Sequence, residues 1–93
     1  MLAYVRAMSG KKRDASMGLN AAVAAQLRAE KAAMRLSNED IASRSGVRLT
    51  SVQRYLACQR IIPIEALEKM CAALEVSPAS LVEAAVNRQK AAK

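Results

Sequence analysis

Four side chains of the segment 48–57, Leu49, Thr50, Gln53 and Arg54, stand at i, i+1, i+4 and i+5. On a helix that spacing gathers them on one side, because the turn repeats every ~3.6 residues. Val47, Val52 and either Tyr55 or Leu56 then make the opposite, apolar side. A guanidinium such as that of Arg54 can form two parallel hydrogen bonds to the edge of a guanine. The amide of Gln53 can pair with an adenine edge or reach a phosphate. Thr50 can donate, accept, or touch a thymine methyl. Leu49 reads only apolar surface, a thymine methyl or the surface of another protein. Arg48 adds a cation beside them, and no acid stands between Val47 and Glu65.

The missing residue types narrow the chemistry further. The chain has no His, which removes histidine acid–base catalysis and histidine metal sites. Cys58 and Cys71 are too few for a four-thiolate zinc site, and both are expected as reduced, small apolar fillers. Gly10, Gly18 and Gly46 are isolated, so there is no phosphate-cradling loop. No nucleophile–base or carboxylate pair stands out. The expectation is a protein that is not an enzyme and needs no cofactor.

Fifteen Lys and Arg against eight Asp and Glu give a net charge of +7 and a pI near 10.0. Residues 1–60 hold 11 basic and 4 acidic side chains, whereas residues 61–93 hold 4 of each. A basic excess confined to two thirds of the chain points to a polyanionic partner, nucleic acid first among them. A membrane surface is the weaker reading, since the basic part lacks Trp and Phe anchors. No apolar run approaches the roughly 18 residues of a membrane span, and no secretory signal precedes Lys11. A cytoplasmic location is expected.

The elements that must position these side chains are helical. Ala accounts for 20 of 93 residues, Phe and Trp are absent, and Tyr4 and Tyr55 are the only aromatics. Residues 1–18 read as a flexible basic arm carrying Lys11, Lys12 and Arg13, with a short helix at Leu2–Met8. The compact domain covers 19–87 and the tail 88–93 is expected to fray. Leu19, Val23, Leu27 and Met34 give a first helix, with Asn20 as its cap. Ser37 and Asp40 form an acidic capping box for a second helix that stops at Gly46. Residues 48–57 are the third helix. Pro63 starts a fourth, with Ile64, Leu67, Met70, Cys71 and Leu74 facing inward. Ser77-Pro78 opens a fifth, whose Leu81, Val82, Ala85 and Val86 serve either the core or a second copy.

Asn38 to Tyr55 thus holds two short helices joined at Gly46, with Ala42 small where they approach. The run Leu36-Ser-Asn-Glu-Asp-Ile-Ala-Ser-Arg-Ser-Gly-Val-Arg-Leu-Thr-Ser-Val-Gln-Arg-Tyr-Leu resembles the lambda-repressor-like (Cro/repressor, XRE) helix-turn-helix family. So do Arg60-Ile-Ile-Pro-Ile-Glu-Ala-Leu and Met70-Cys-Ala-Ala-Leu-Glu-Val-Ser-Pro, and the resemblance covers about 19–84. It implies an all-α, compact five-helix fold with the helix-turn-helix at about 37–57 and the helix 48–57 in a DNA major groove. Leu49, Thr50, Gln53 and Arg54 would then face the bases. Lys31, Ser37, Asn38, Arg48, Ser51 and Arg60 would contact phosphates, although Ser37 and Ser51 serve equally well as local caps. Two departures matter. The turn after the recognition helix is Ala57-Cys58, not Asn-Gly or Ser-Gly. Arg48 replaces the usual Ser or Thr cap.

The reading that follows is a transcriptional regulator, in its most concrete form a small phage immunity repressor or Cro-like protein. It would bind an operator, as an inverted repeat, and pair as a homodimer. The self-cleaving domain of longer repressors is not expected within these 93 residues, nor is induction by autoproteolysis. Two rivals are an antitoxin, which would bind a toxin as well as DNA, and an excisionase-like architectural factor, which would bend DNA.

Overall fold

The computed structural model describes residues 18–91; the expected arm residues Lys11, Lys12 and Arg13, the short helix at Leu2–Met8 and the last two residues lie outside them. Five helices follow in order: α1 (Leu19–Met34), α2 (Asn38–Ser45), α3 (Leu49–Leu56), α4 (Ile64–Ala73) and α5 (Pro78–Ala91). No strand occurs among the described residues, so the all-α expectation holds. None of these helices is long and apolar enough to cross a membrane.

Four of the five helices stop for an identifiable reason. The α2 helix ends at Gly46, whose φ of 77° is left-handed and whose N–H donates to Ala42 O at 2.9 Å. Three other helices end on a left-handed residue that is not glycine: Arg35 after α1, Cys58 after α3 and Glu75 after α4. Each closes the same pair of bonds. After α3, Cys58 N–H donates to Tyr55 O (3.1 Å) and Gln59 N–H donates to Arg54 O (2.8 Å). The Ala57-Cys58 turn therefore reaches the glycine-type geometry without glycine.

The starts match the sequence less evenly. Ser37 Oγ accepts from Asp40 N–H (3.0 Å) while Ser37 N–H donates to Asp40 Oδ2 (2.9 Å), the expected capping box. Ser77 Oγ likewise accepts from Ser80 N–H at 3.0 Å, with Pro78 as the first helical residue. Asn20, however, does not cap α1. Gly18 holds that position, and Asn20 is committed elsewhere because its amide meets the chain 40 residues on. Pro63 is the N-cap of α4 rather than its first residue, so Ile64 opens the helix at a rim and is 77% exposed instead of facing inward.

The core is built from Leu27 of α1, Ile41 of α2, Val52 of α3, Met70 and Cys71 of α4, and Leu81 and Ala85 of α5. Burial pushes the Cys71 thiol up to about 11, so it stays protonated. Leu81 and Ala85 are thus core residues, while Val82 and Val86 are half-buried. The broadest helix–helix contact is between α1 and α5, and α2 packs on both α3 and α4. The α5 helix continues four residues past position 87. There Arg88 Nε donates to Gln26 Oε1 at 3.0 Å, tying the end of α5 to the middle of α1.

Candidate nucleic-acid interface

The α3 helix packs on the core through its inner face. Val52, Tyr55 and Leu56 are buried against the core. The side chains at 49, 50, 53 and 54 fall within a ~140° arc on the other side. Thr50, Gln53 and Arg54 are exposed there, and Leu49 is half-buried at the edge of the arc. Ser51 is half-buried on the far flank. The structure thus brings together the four side chains expected to read bases.

Two clamps fix the pose of α3. Arg28, reaching from α1, donates from its guanidinium to Leu56 O at 2.6 Å, which places a cation on the carbonyl end of the helix. Asn20 holds the connection that leaves it. Its Nδ2 donates to Arg60 O (3.2 Å), with a longer contact to Cys58 Sγ (3.5 Å), and its Oδ1 accepts from Ile62 N–H (2.9 Å). A side-chain amide so placed satisfies a donor and an acceptor of an irregular loop, as a neighbouring strand would. Neither role was visible in the sequence. Arg28 lies in a run of helix-forming residues with nothing local to mark a distant carbonyl as its partner, and Asn20 carried only the local signal of a cap.

Two sets of arginines differ in what they bind. Arg28, Arg44 and Arg88 are spent on the fold, Arg44 by donating to Ala73 O at the end of α4 (3.4 Å). Arg48, Arg54 and Arg60 are exposed and form no side-chain bond within the described residues. Arg48 stands at the N-cap of α3 without capping it, and the first turn of α3 holds no acid. The amide end of this helix therefore keeps its positive character, reinforced by the guanidinium beside it.

The α2 end of the expected contact set is more occupied. Lys31 Nζ donates to Asn38 Oδ1 at 2.8 Å, so two side chains expected on phosphates are bonded to each other. Ser37 is engaged in its capping box, and bonds to Ser37 hold the Asp40 carboxyl below its usual value, which keeps a negative charge at this helix start. Lys31 retains further ammonium protons and Asn38 its amide NH2.

The geometry can be set beside known proteins. Residues 22–85 match a family model described as a helix-turn-helix domain. The chain belongs to the helix-turn-helix domain family. The match begins in α1 and ends in α5, and it overlaps the 19–84 span of the lambda-repressor-like resemblance almost completely. The crystal structure of the clp gene regulator ClgR from C. glutamicum is similar, with a TM-score of 0.72 and 24% identity. That alignment covers 77% of this chain and 94% of the other, and it shows a shared fold. No curated protein matches the sequence. Within this helix-turn-helix domain, α2 and α3 are the paired helices and Gly46 is the turn between them.

Proposed function

We propose that this protein is a sequence-specific double-stranded DNA-binding transcriptional regulator that acts as a repressor, with α3 lying in the major groove. One observation carries the reading. The second helix of the helix-turn-helix exposes Thr50, Gln53 and Arg54, and neither they nor the flanking Arg48 and Arg60 form side-chain bonds within the described residues. A polar face that neither packs nor pairs internally is available to base edges.

In this pose Arg54 donates two bonds to a guanine, Gln53 pairs with an adenine, and Thr50 and Leu49 meet a thymine methyl. Arg48, Ser51 and Arg60 hold the phosphates on either side, and the Lys31–Asn38 pair with Ser37 meets the backbone from the start of α2. Lys11, Lys12 and Arg13 extend the electrostatic contact along the groove. Repression follows from occupancy, because a domain seated in the groove of an operator excludes polymerase. A small phage repressor or Cro-like regulator is the form that fits one such domain with a basic arm.

Selection of DNA from a random pool at about physiological salt, where non-specific binding is weak, tests this. Enrichment of an inverted repeat, with half-sites about 34 Å apart, supports a paired regulator. An unpaired motif supports a monomer or an arrayed architectural factor. No enrichment overturns the reading and favours the antitoxin alternative, in which a toxin is the partner.

A further inference from the structure

Arg60 lies in the connection between α3 and α4, where no helix of its own aims it. A long side chain on a free loop loses backbone and rotamer freedom when it settles on a partner, and that loss opposes binding. This loop is not free. At its start, Arg28 donates to Leu56 O at 2.6 Å. One residue before Arg60, Gln59 N–H donates to Arg54 O at 2.8 Å. At Arg60 itself, Asn20 Nδ2 donates to the carbonyl at 3.2 Å, while Asn20 Oδ1 accepts from Ile62 N–H at 2.9 Å. Arg60 is therefore held between a bond to the backbone of Arg54 and a pair of bonds to α1.

The residue type at position 20 suits this task. An amide donates and accepts at once, whereas a carboxylate of the same shape only accepts. Asn20 is half-buried, which shields its bonds from water and strengthens them. It belongs to α1, outside the paired helices α2 and α3. The guanidinium of Arg60 forms no side-chain bond within the described residues, so the fold holds the backbone of this residue and leaves its charge exposed.

We propose that Asn20 is a positioning residue for DNA binding: by holding the Arg60 backbone, it sets the Arg60 guanidinium in fixed relation to Arg54. The inference rests on the DNA-binding reading and extends it to a residue that acts through another rather than on the duplex. Phosphate contacts fix the register in which base readers meet the groove. A phosphate ligand and a base reader joined through Gln59 and fastened to α1 meet the duplex as one unit. Arg60 then has little backbone freedom left to lose on binding.

A double-mutant cycle tests this, read by fluorescence-anisotropy titration of the full chain against its selected DNA. Asn20→Ala should weaken binding about fivefold and reduce the steepness of log K against log salt by about 1, as the loss of one phosphate contact requires. The ranking of DNAs varied at single bases should stay that of wild type. In an Arg60→Ala background, Asn20→Ala should change nothing further, because the group it positions is gone. Asn20→Asp is the second variant, since it keeps the acceptor for Ile62 N–H and loses only the donor to Arg60 O. Its cycle with Arg60→Ala should also be non-additive, whereas a plain effect of the added charge persists without Arg60. Circular dichroism melts set the titrations below the transition of every variant. Equal losses with and without Arg60, an altered base ranking, or wild-type binding by both variants overturns the proposal. A wild-type chain that selects no DNA sinks the DNA reading and the positioning role together. A wild-type chain that selects a motif while the cycles are additive sinks the positioning role alone.

Discussion

Arg54 and Cys58 sit four residues apart and illustrate what a single residue contributes to site and to scaffold. Arg54 is exposed and unbonded within the described residues, so its removal should leave the fold intact. Arg54→Ala should weaken binding to the selected DNA by about 1–3 kcal/mol and relax the preference at one base position. Binding titrations against DNAs varied at that position measure both effects; an unchanged preference would remove Arg54 from the base readers. Cys58 contributes conformation. Its φ of 61° is left-handed, where a Cβ is disfavoured, and its sulfur makes only a long contact with Asn20. Cys58→Gly should stabilise the domain by about 0.5–1 kcal/mol after glycine's own entropy cost, read from urea unfolding. The exposed face of Arg54 was legible in the sequence because period and residue type are local properties, whereas Cys58, expected as a small apolar filler like Cys71, is exposed because the turn carries it out of the core. The left-handed turn was not legible, because Ala57-Cys58 carries no glycine to announce it.

The second helix shows how an eight-residue element persists inside the fold. It is too short to be stable alone and relies on its ends and on Ile41. Ser37→Ala removes the acceptor for Asp40 N–H and should cost about 1 kcal/mol by chemical denaturation. Asp40 adds a pH dependence. Its folded pKa is lowered from 3.8 by hydrogen bonds to Ser37, with Arg44 a smaller contribution. The folded state favours the ionised carboxylate, so this stability is fully present above about 3.8 and is lost as pH falls through the lowered value. Thermal melts of wild type and Asp40→Asn across the acid range should show that part of the slope only in wild type. Such caps are readable from sequence because they act over three residues. The start of α1 was misread for the opposite reason, since Asn20 answers to partners about 40 residues away.

At the scale of the whole molecule, charge and helix order were legible, and long-range fastening was not. Composition gives +7, and the structure separates arginines bonded within the fold, such as Arg28, Arg44 and Arg88, from those with no side-chain bond among the described residues, such as Arg48, Arg54 and Arg60. Arg28 and Arg54 have the same residue type and similar surroundings in sequence, so only the packing of α1 on α3 separates them. If about six phosphates are neutralised, log K for DNA should fall against log salt with a slope of about −5. Titration at several salt concentrations checks this, and a slope near zero would remove the phosphate contacts. Asn20 has a further consequence for the dynamics of the domain. A loop pinned by a residue 42 positions away opens only when α1 separates from it. The Ile62 amide should therefore exchange its hydrogen on the slow schedule of global unfolding, and Asn20→Ala should move it to the fast schedule of a surface loop.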